Sequence, residues 1–266
     1  MMLSAAIEHG TTRKWYGRII ELPGTIARAP SRKQLLQDLQ LVLEDHISWL
    51  KQNNEAIPVN SDAPILVKEE IAGIPNLGES GGCVALFEFD KQPVTSGKLK
   101  YYFRLMTYSR KTLLGFIQPI PQDWLNEQLP DSKRTTLQIL AHICNAEEWY
   151  KSRLGQQVDE RYEEVVGMPM AKLDNLPVLQ RLYVVRKGCL SVLEEAIRQK
   201  GGAIFTREAY TDFPEELWTA SKVLRRYVEH EREHYYSLVK RFQELQSTAG
   251  SEDPRNWQQT KNRLMS

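Results

Sequence analysis

Residues 218–245 read WTASKVLRRYVEHEREHYYSLVKRFQEL, and this stretch decides the fold of the C-terminal part of the chain. Leu224, Val228, Tyr235, Leu238, Phe242 and Leu245 recur at the three-to-four-residue spacing of an amphipathic helix. The stretch also carries two of the chain's five histidines, His230 and His234. A spacing of four places both imidazoles on one helical face, about one turn apart, where both rings can reach a single ion.

A third ligand has to come from another element. His142 is the one other histidine in the helical region, near the middle of its own apolar pattern and at the edge of the Ile139, Ile143, Ala146 stripe. From that edge it can point inward while its neighbours pack. Three neutral imidazoles suit zinc, nickel or iron and leave positions open for water or substrate. On spacing alone two other readings stand: His-x-x-x-His pairs also occur as titrating groups on exposed helices, and a lone histidine on an apolar edge also occurs as a satisfied core residue.

Three further helical patterns precede this one. Leu99 to Ile117 carries Tyr102, Leu105, Met106, Leu113 and Phe116 and stops at Pro119 and Pro121. Thr135 to Leu154 carries Ile139, Ile143, Ala146 and Tyr150. Asn175 is placed to cap a helix with the stripe Leu179, Leu182, Cys189, Leu193 and Ala196, which Gly201-Gly202 ends. Four amphipathic helices without strand patterns among them predict an all-α four-helix bundle over residues 95–246, and residues 247–266 read as a polar tail.

The N-terminal part has a different period. Ser4 to Ile7, Trp15 to Ile20 and Thr25 to Ala29 read as strands, separated by His9-Gly10-Thr11-Thr12 and Leu22-Pro23-Gly24. Ser31 starts a helix, with Gln34 placed for a capping box and an apolar stripe of Leu35, Leu36, Leu39, Val42, Leu43, Ile47 and Leu50. Ile65 to Val67 and Val84 to Phe87 read as strands that extend the sheet or clasp the two parts together. With a boundary near Pro93, residues 1–94 form a small sheet-plus-helix module, and the fold class is α+β.

Composition narrows the function. The 266 residues are 41% hydrophobic and 26% charged, with a formal net charge of +1. That balance gives no electrostatic case for nucleic acid or an anionic membrane, and the apolar runs fall short of the ~20 residues of a membrane span. The N-terminus shows no basic start followed by an apolar stretch. Cys83, Cys144 and Cys189 are widely spaced, with no CxxC pair, which suits a reducing, cytoplasmic location; Cys144 and Cys189 read as core residues.

His230-Glu231-Arg232-Glu233-His234 also matches the H-E-x-x-H pattern of zinc peptidases, in which Glu231 would be the general base. Tyr235-Tyr236-Ser237 replace the Gly-containing continuation of the metzincins, and Glu244 and Glu252 are poorly placed as a further ligand. Glu231 falls in the middle of the apolar arc of its helix, where an ionised carboxylate is costly unless paired. It is therefore a candidate partner for Arg181 or Arg186, a support for a histidine ligand, or an acid/base with a raised pKa; the first two are favoured. Arg225, Arg226 and Tyr227, one turn before His230, could instead meet an anionic substrate group.

The order of these pieces resembles the DinB-like superfamily of metal-binding four-helix bundles. Phe103-Arg104-Leu105-Met106 through Ser109-Arg110 with Leu113-Leu114 looks like its first helix. Leu140-Ala141-His142 through Ala146-Glu147-Glu148-Trp149-Tyr150 looks like its second, and Trp218-Thr219 through His230 to His234 like its last. The resemblance implies His142, His230 and His234 as metal ligands. It also implies an activity among metal-dependent thiol S-transferases, which use low-molecular-weight thiols, or hydrolases of small electrophilic substrates. A homodimer is expected too, since such bundles often pair through helix faces. At the N-terminus, Trp15-Tyr16-Gly17, Glu21-Leu22-Pro23-Gly24 and the helix with Leu39 and Leu43 resemble the HicB-like module of some antitoxins. That likeness supports a second expectation of a different class, a non-enzymatic binding or regulatory protein with a structural metal site.

Overall fold

The computed structural model describes residues 2–57, 59–128 and 133–248. Three strands open the chain: β1 (Leu3–Gly10), β2 (Trp15–Ile19) and β3 (Ile26–Ala29). Helix α1 (Arg32–Gln52) follows, then β4 (Ile65–Ile74). The strand order is β3-β2-β1-β4, antiparallel except for β1 and β4, which run parallel. β4 thus extends the sheet, as its composition predicts.

Alternation along the strands sets the two faces of the sheet. Leu3, Ala5 and Ile7 pack in one cluster with Leu35, Leu39 and Leu43 of α1. Gly17 permits that closeness: a Cβ there would come within 2.8 Å of the Leu39 side chain. The opposite face presents Glu8, Tyr16, Arg18 and Arg28, joined by the cross-strand pairs Glu8–Tyr16 and Tyr16–Arg28. Glu8, Tyr16 and Arg18 are buried, so this polar face requires a partner surface, and the helical region supplies it.

Among the described residues, that region contains four long helices: α2 (Ser96–Ile117), α4 (Thr136–Ser152), α7 (Val178–Lys200) and α8 (Ala220–Thr248). α8 packs on α2 and α4, and α4 packs on α7. Arg110 of α2 donates to the Leu182 carbonyl of α7, and Arg186 of α7 to the Met106 carbonyl of α2. Shorter helices α3 (Gln122–Asn126), α5 (Gln156–Val166) and α6 (Met170–Leu173) fill the connections, with α5 against α7. One hydrophobic cluster runs from Leu3 and Leu35 through Leu105, Leu140 and Leu193 to Phe242, so the sheet, α1 and the helical region share a core. No described helix is long and apolar enough to cross a membrane.

Several local readings change. Val84 to Phe87 joins no sheet, because carboxylates take its backbone donors: Glu216 accepts from Val84 N at 3.0 Å and Glu8 from Ala85 N at 2.6 Å. Ser31 caps α1, but Gln34 turns its side chain to Asp38 at 2.8 Å instead of closing a capping box. Pro177, not Asn175, holds the N-cap position of α7, and no side chain caps that end. α8 continues to Thr248, and the remainder of the expected tail, 249–266, lies outside the described residues. All three cysteines are free and buried, and burial pushes the thiols of Cys83 and Cys144 up to about 12.

Candidate metal centre

α8 brings His230 and His234 to one face, and α4, packed beside it, brings His142 to the same point. The Nε2 atoms of His230 and His142 are 3.2 Å apart, and those of His234 and His230 are 3.1 Å apart. The donor atoms of all three residues lie within 4.8 Å of one another. Two imidazoles bound tetrahedrally to zinc at ~2.0–2.1 Å place their nitrogens roughly 3.3 Å apart, so the observed separations match the shape of a coordination site.

Electrostatics favour the same state. Burial lowers the pKa of His142 to about 4, with Arg134 adding to the effect. Burial drives His230 and His234 well below their ordinary value, and the neighbouring imidazoles add to it. All three are neutral near pH 7 and present lone pairs rather than protons. Tyr150 stands edge-on to His230 with ring centroids 5.7 Å apart, and its hydroxyl accepts from Arg226 at 3.1 Å.

Glu231 points away from this cluster, into a buried network. Its carboxylate accepts from Arg110 Nε at 2.6 Å and from Arg186 Nη2 at 3.0 Å, and both arginines also bind Glu147. Burial alone would raise its pKa, but the charges of Arg110 and Arg186 outweigh that and hold it below the ordinary carboxylate value. Arg186 is thus one of the partners expected from sequence, whereas Arg181 pairs with Glu148 at 2.7 Å. Arg110 and Glu147 are members that sequence reasoning misses. Their signal is the same as that of Glu231, charged residues set within apolar helical stripes.

A second buried network joins the sheet to α8. Arg18 of β2 bonds Glu229 at 2.9 Å and also pairs with Glu8. Arg225 pairs with Glu229 and Asp90, each at 2.9 Å, and Arg226 reaches Glu229 at 3.2 Å. Tyr227 donates to the Glu147 carbonyl at 2.7 Å. Arg225, Arg226 and Tyr227 are therefore spent on internal contacts, which corrects the reading in which these three could meet an anionic substrate group. At the rim of the histidine cluster, Tyr16 and Arg28 of the sheet both meet Glu233, at 3.3 and 3.1 Å.

The fold and this cluster define a helical protein in which three histidines that could hold a metal ion lie beside a small sheet. A family model of the DinB superfamily matches residues 105–238, and the chain belongs to that superfamily. The matched span takes in all three histidines. No curated protein and no solved structure matches the chain.

Proposed function

We propose that the protein is a metal-dependent enzyme of the DinB-like type, which brings a low-molecular-weight thiol or a water molecule to a small electrophilic substrate. The observation that carries this reading is the convergence of three neutral imidazoles, from two helices, on one point. His142, His230 and His234 would hold the ion. A divalent ion in such a site supplies Lewis acidity and lowers the pKa of a thiol or water near it. Among the described residues the group has three protein donors, which supports a catalytic over a structural role, because structural zinc sites are closed by a fourth ligand.

The surrounding residues have distinct tasks in this reading. Burial of the imidazoles keeps protons off the donor nitrogens. Tyr150, held by Arg226, fixes the ring plane of His230. Glu231 fixes the α8 backbone between the two ligands through Arg110 and Arg186, and a carboxylate held by two guanidinium groups is poorly suited to act as a peptidase base. The helices α2, α4, α7 and α8 are read as the superfamily's four-helix bundle, and the strand–strand–strand–helix–strand order supports a HicB-like origin for the N-terminal part.

Turnover decides the reaction. Metal-loaded protein incubated with a panel of thiols and a haloarene should form thioether in a metal-dependent way, and the His234→Ala variant should not. Absence of turnover with every thiol and with water, alongside tight capture of a protein partner by the sheet, would favour the binding or regulatory reading.

A further inference from the structure

We infer that the N-terminal sheet completes the substrate pocket of the histidine site, and that Arg28 receives an anionic group, a carboxylate above all, of the small molecule bound there. This rests on the metal-dependent reading above and adds to it a substrate class and a residue outside the matched span 105–238.

The placement follows from two periodicities. Alternation along β2 and β3 puts Tyr16 and Arg28 on the sheet face that lies against α8, as a cross-strand pair. On α8, His230, His234 and Ser237 are spaced i, i+4, i+7 and share one helical face. Arg28 Nη1 donates to Glu233 Oε1 at 3.1 Å, and Nη2 to Ser237 Oγ at 3.3 Å. The guanidinium is thereby anchored beside the histidine stripe, one turn beyond His234.

Its surroundings favour an anion. The Arg28 side chain is 55% exposed and offers five N–H donors, shared among Glu233, Ser237 and the Tyr16 hydroxyl without exhausting them. Glu233, only 15% exposed, fixes the guanidinium in place and acts as a positioning residue. Arg28, Arg134 and Arg226 each lower the pKa of His234, and Arg134 also that of His142, while Arg28 and Arg226 are paired with Glu233 and Glu229. A divalent ion held by the three neutral imidazoles would add uncompensated positive charge beside Arg28, and positive charge draws anions. Arginine's planar fork matches a carboxylate in two-point contact.

The test uses the full chain loaded with cobalt(II), with two probes of equal shape: 3-mercaptopropionate and its uncharged amide. Thiolate binding is read from the charge-transfer absorption of the cobalt site. The carboxylate probe should bind about tenfold more tightly than the amide, and Arg28→Gln should cut that preference to less than about twofold. Arg28→Lys should retain part of it, and cobalt affinity should be the same in all three proteins. Equal binding of both probes to the unmodified protein, or an undiminished preference in Arg28→Gln, would overturn the inference while leaving the metal reading intact. A chain that takes up no cobalt would overturn both.

Discussion

His230 Nε2 lies 3.2 Å from His142 Nε2, across the contact between α8 and α4. The two residues are 88 positions apart in the chain, and the separation suits either an N–H···N hydrogen bond between neutral rings or two ligands of one shared ion. The histidine cluster therefore joins two helices at one point, and its protonation bears on stability as well as on binding.

The metal-free protein should lose stability as the pH falls from about 7 toward 5. Burial lowers the folded-state pKa of His142 to about 4 and those of His230 and His234 well below the ordinary value. Between the folded and unfolded pKa values the unfolded chain binds more protons, so stability is full above about pH 6.5 and declines below it. Denaturant titrations at a series of pH values measure this. His142→Gln should flatten the dependence, and an unchanged slope would contradict the assignment.

Glu231→Gln should destabilise the protein by about 3–5 kcal/mol, because it leaves Arg110 and Arg186 sharing one buried carboxylate, Glu147. Its metal content when folded should stay near that of the unmodified chain. Loss of metal at full stability would instead mark Glu231 as part of the metal centre.

Arg18→Met should cost a similar amount, about 3–5 kcal/mol, by removing the charge partner of buried Glu8, which keeps only the Ala85 N–H, and weakening the hold on Glu229. The sheet and the helices share one core, so unfolding should be a single transition. Fluorescence of Trp15 and Trp49 variants, compared with helical circular dichroism, would show this. Separate midpoints for the two parts would refute it.

Gly24→Ala should destabilise by about 1–3 kcal/mol. Gly24 has φ +95°, and a Cβ there would meet Val228 of α8 at 2.8 Å and His46 at 3.0 Å. The turn between β2 and β3 would have to withdraw from α8, so the loss should appear in thermal melts with little change in secondary structure.

Much of the fold is legible in the chain because periodicity is local. The stripes of α1, α2, α4, α7 and α8 are visible in it, and the spacing of His230 and His234 alone puts two ligands on one helical face. Glu231 stands out as a charge in an apolar arc, and that anomaly points to Arg186. What is not legible is set by distant partners. The Arg18–Glu229 bond spans 211 positions, and nothing near either residue announces it. Val84 to Phe87 has strand composition, yet side-chain carboxylates take the backbone donors a neighbouring strand would use. Arg225 reads as available because Asp90, which holds it from 135 positions away, is not visible near it in sequence, although Glu229 sits one turn along the same helix.

The most direct test is elemental analysis of the protein purified without an affinity tag, beside its His230→Ala variant. The unmodified chain should carry about one divalent transition metal ion per molecule, and His230→Ala should carry essentially none while keeping its helical circular dichroism. Folded, unmodified protein that holds no metal and takes up no zinc, nickel, iron or cobalt on incubation would contradict the account.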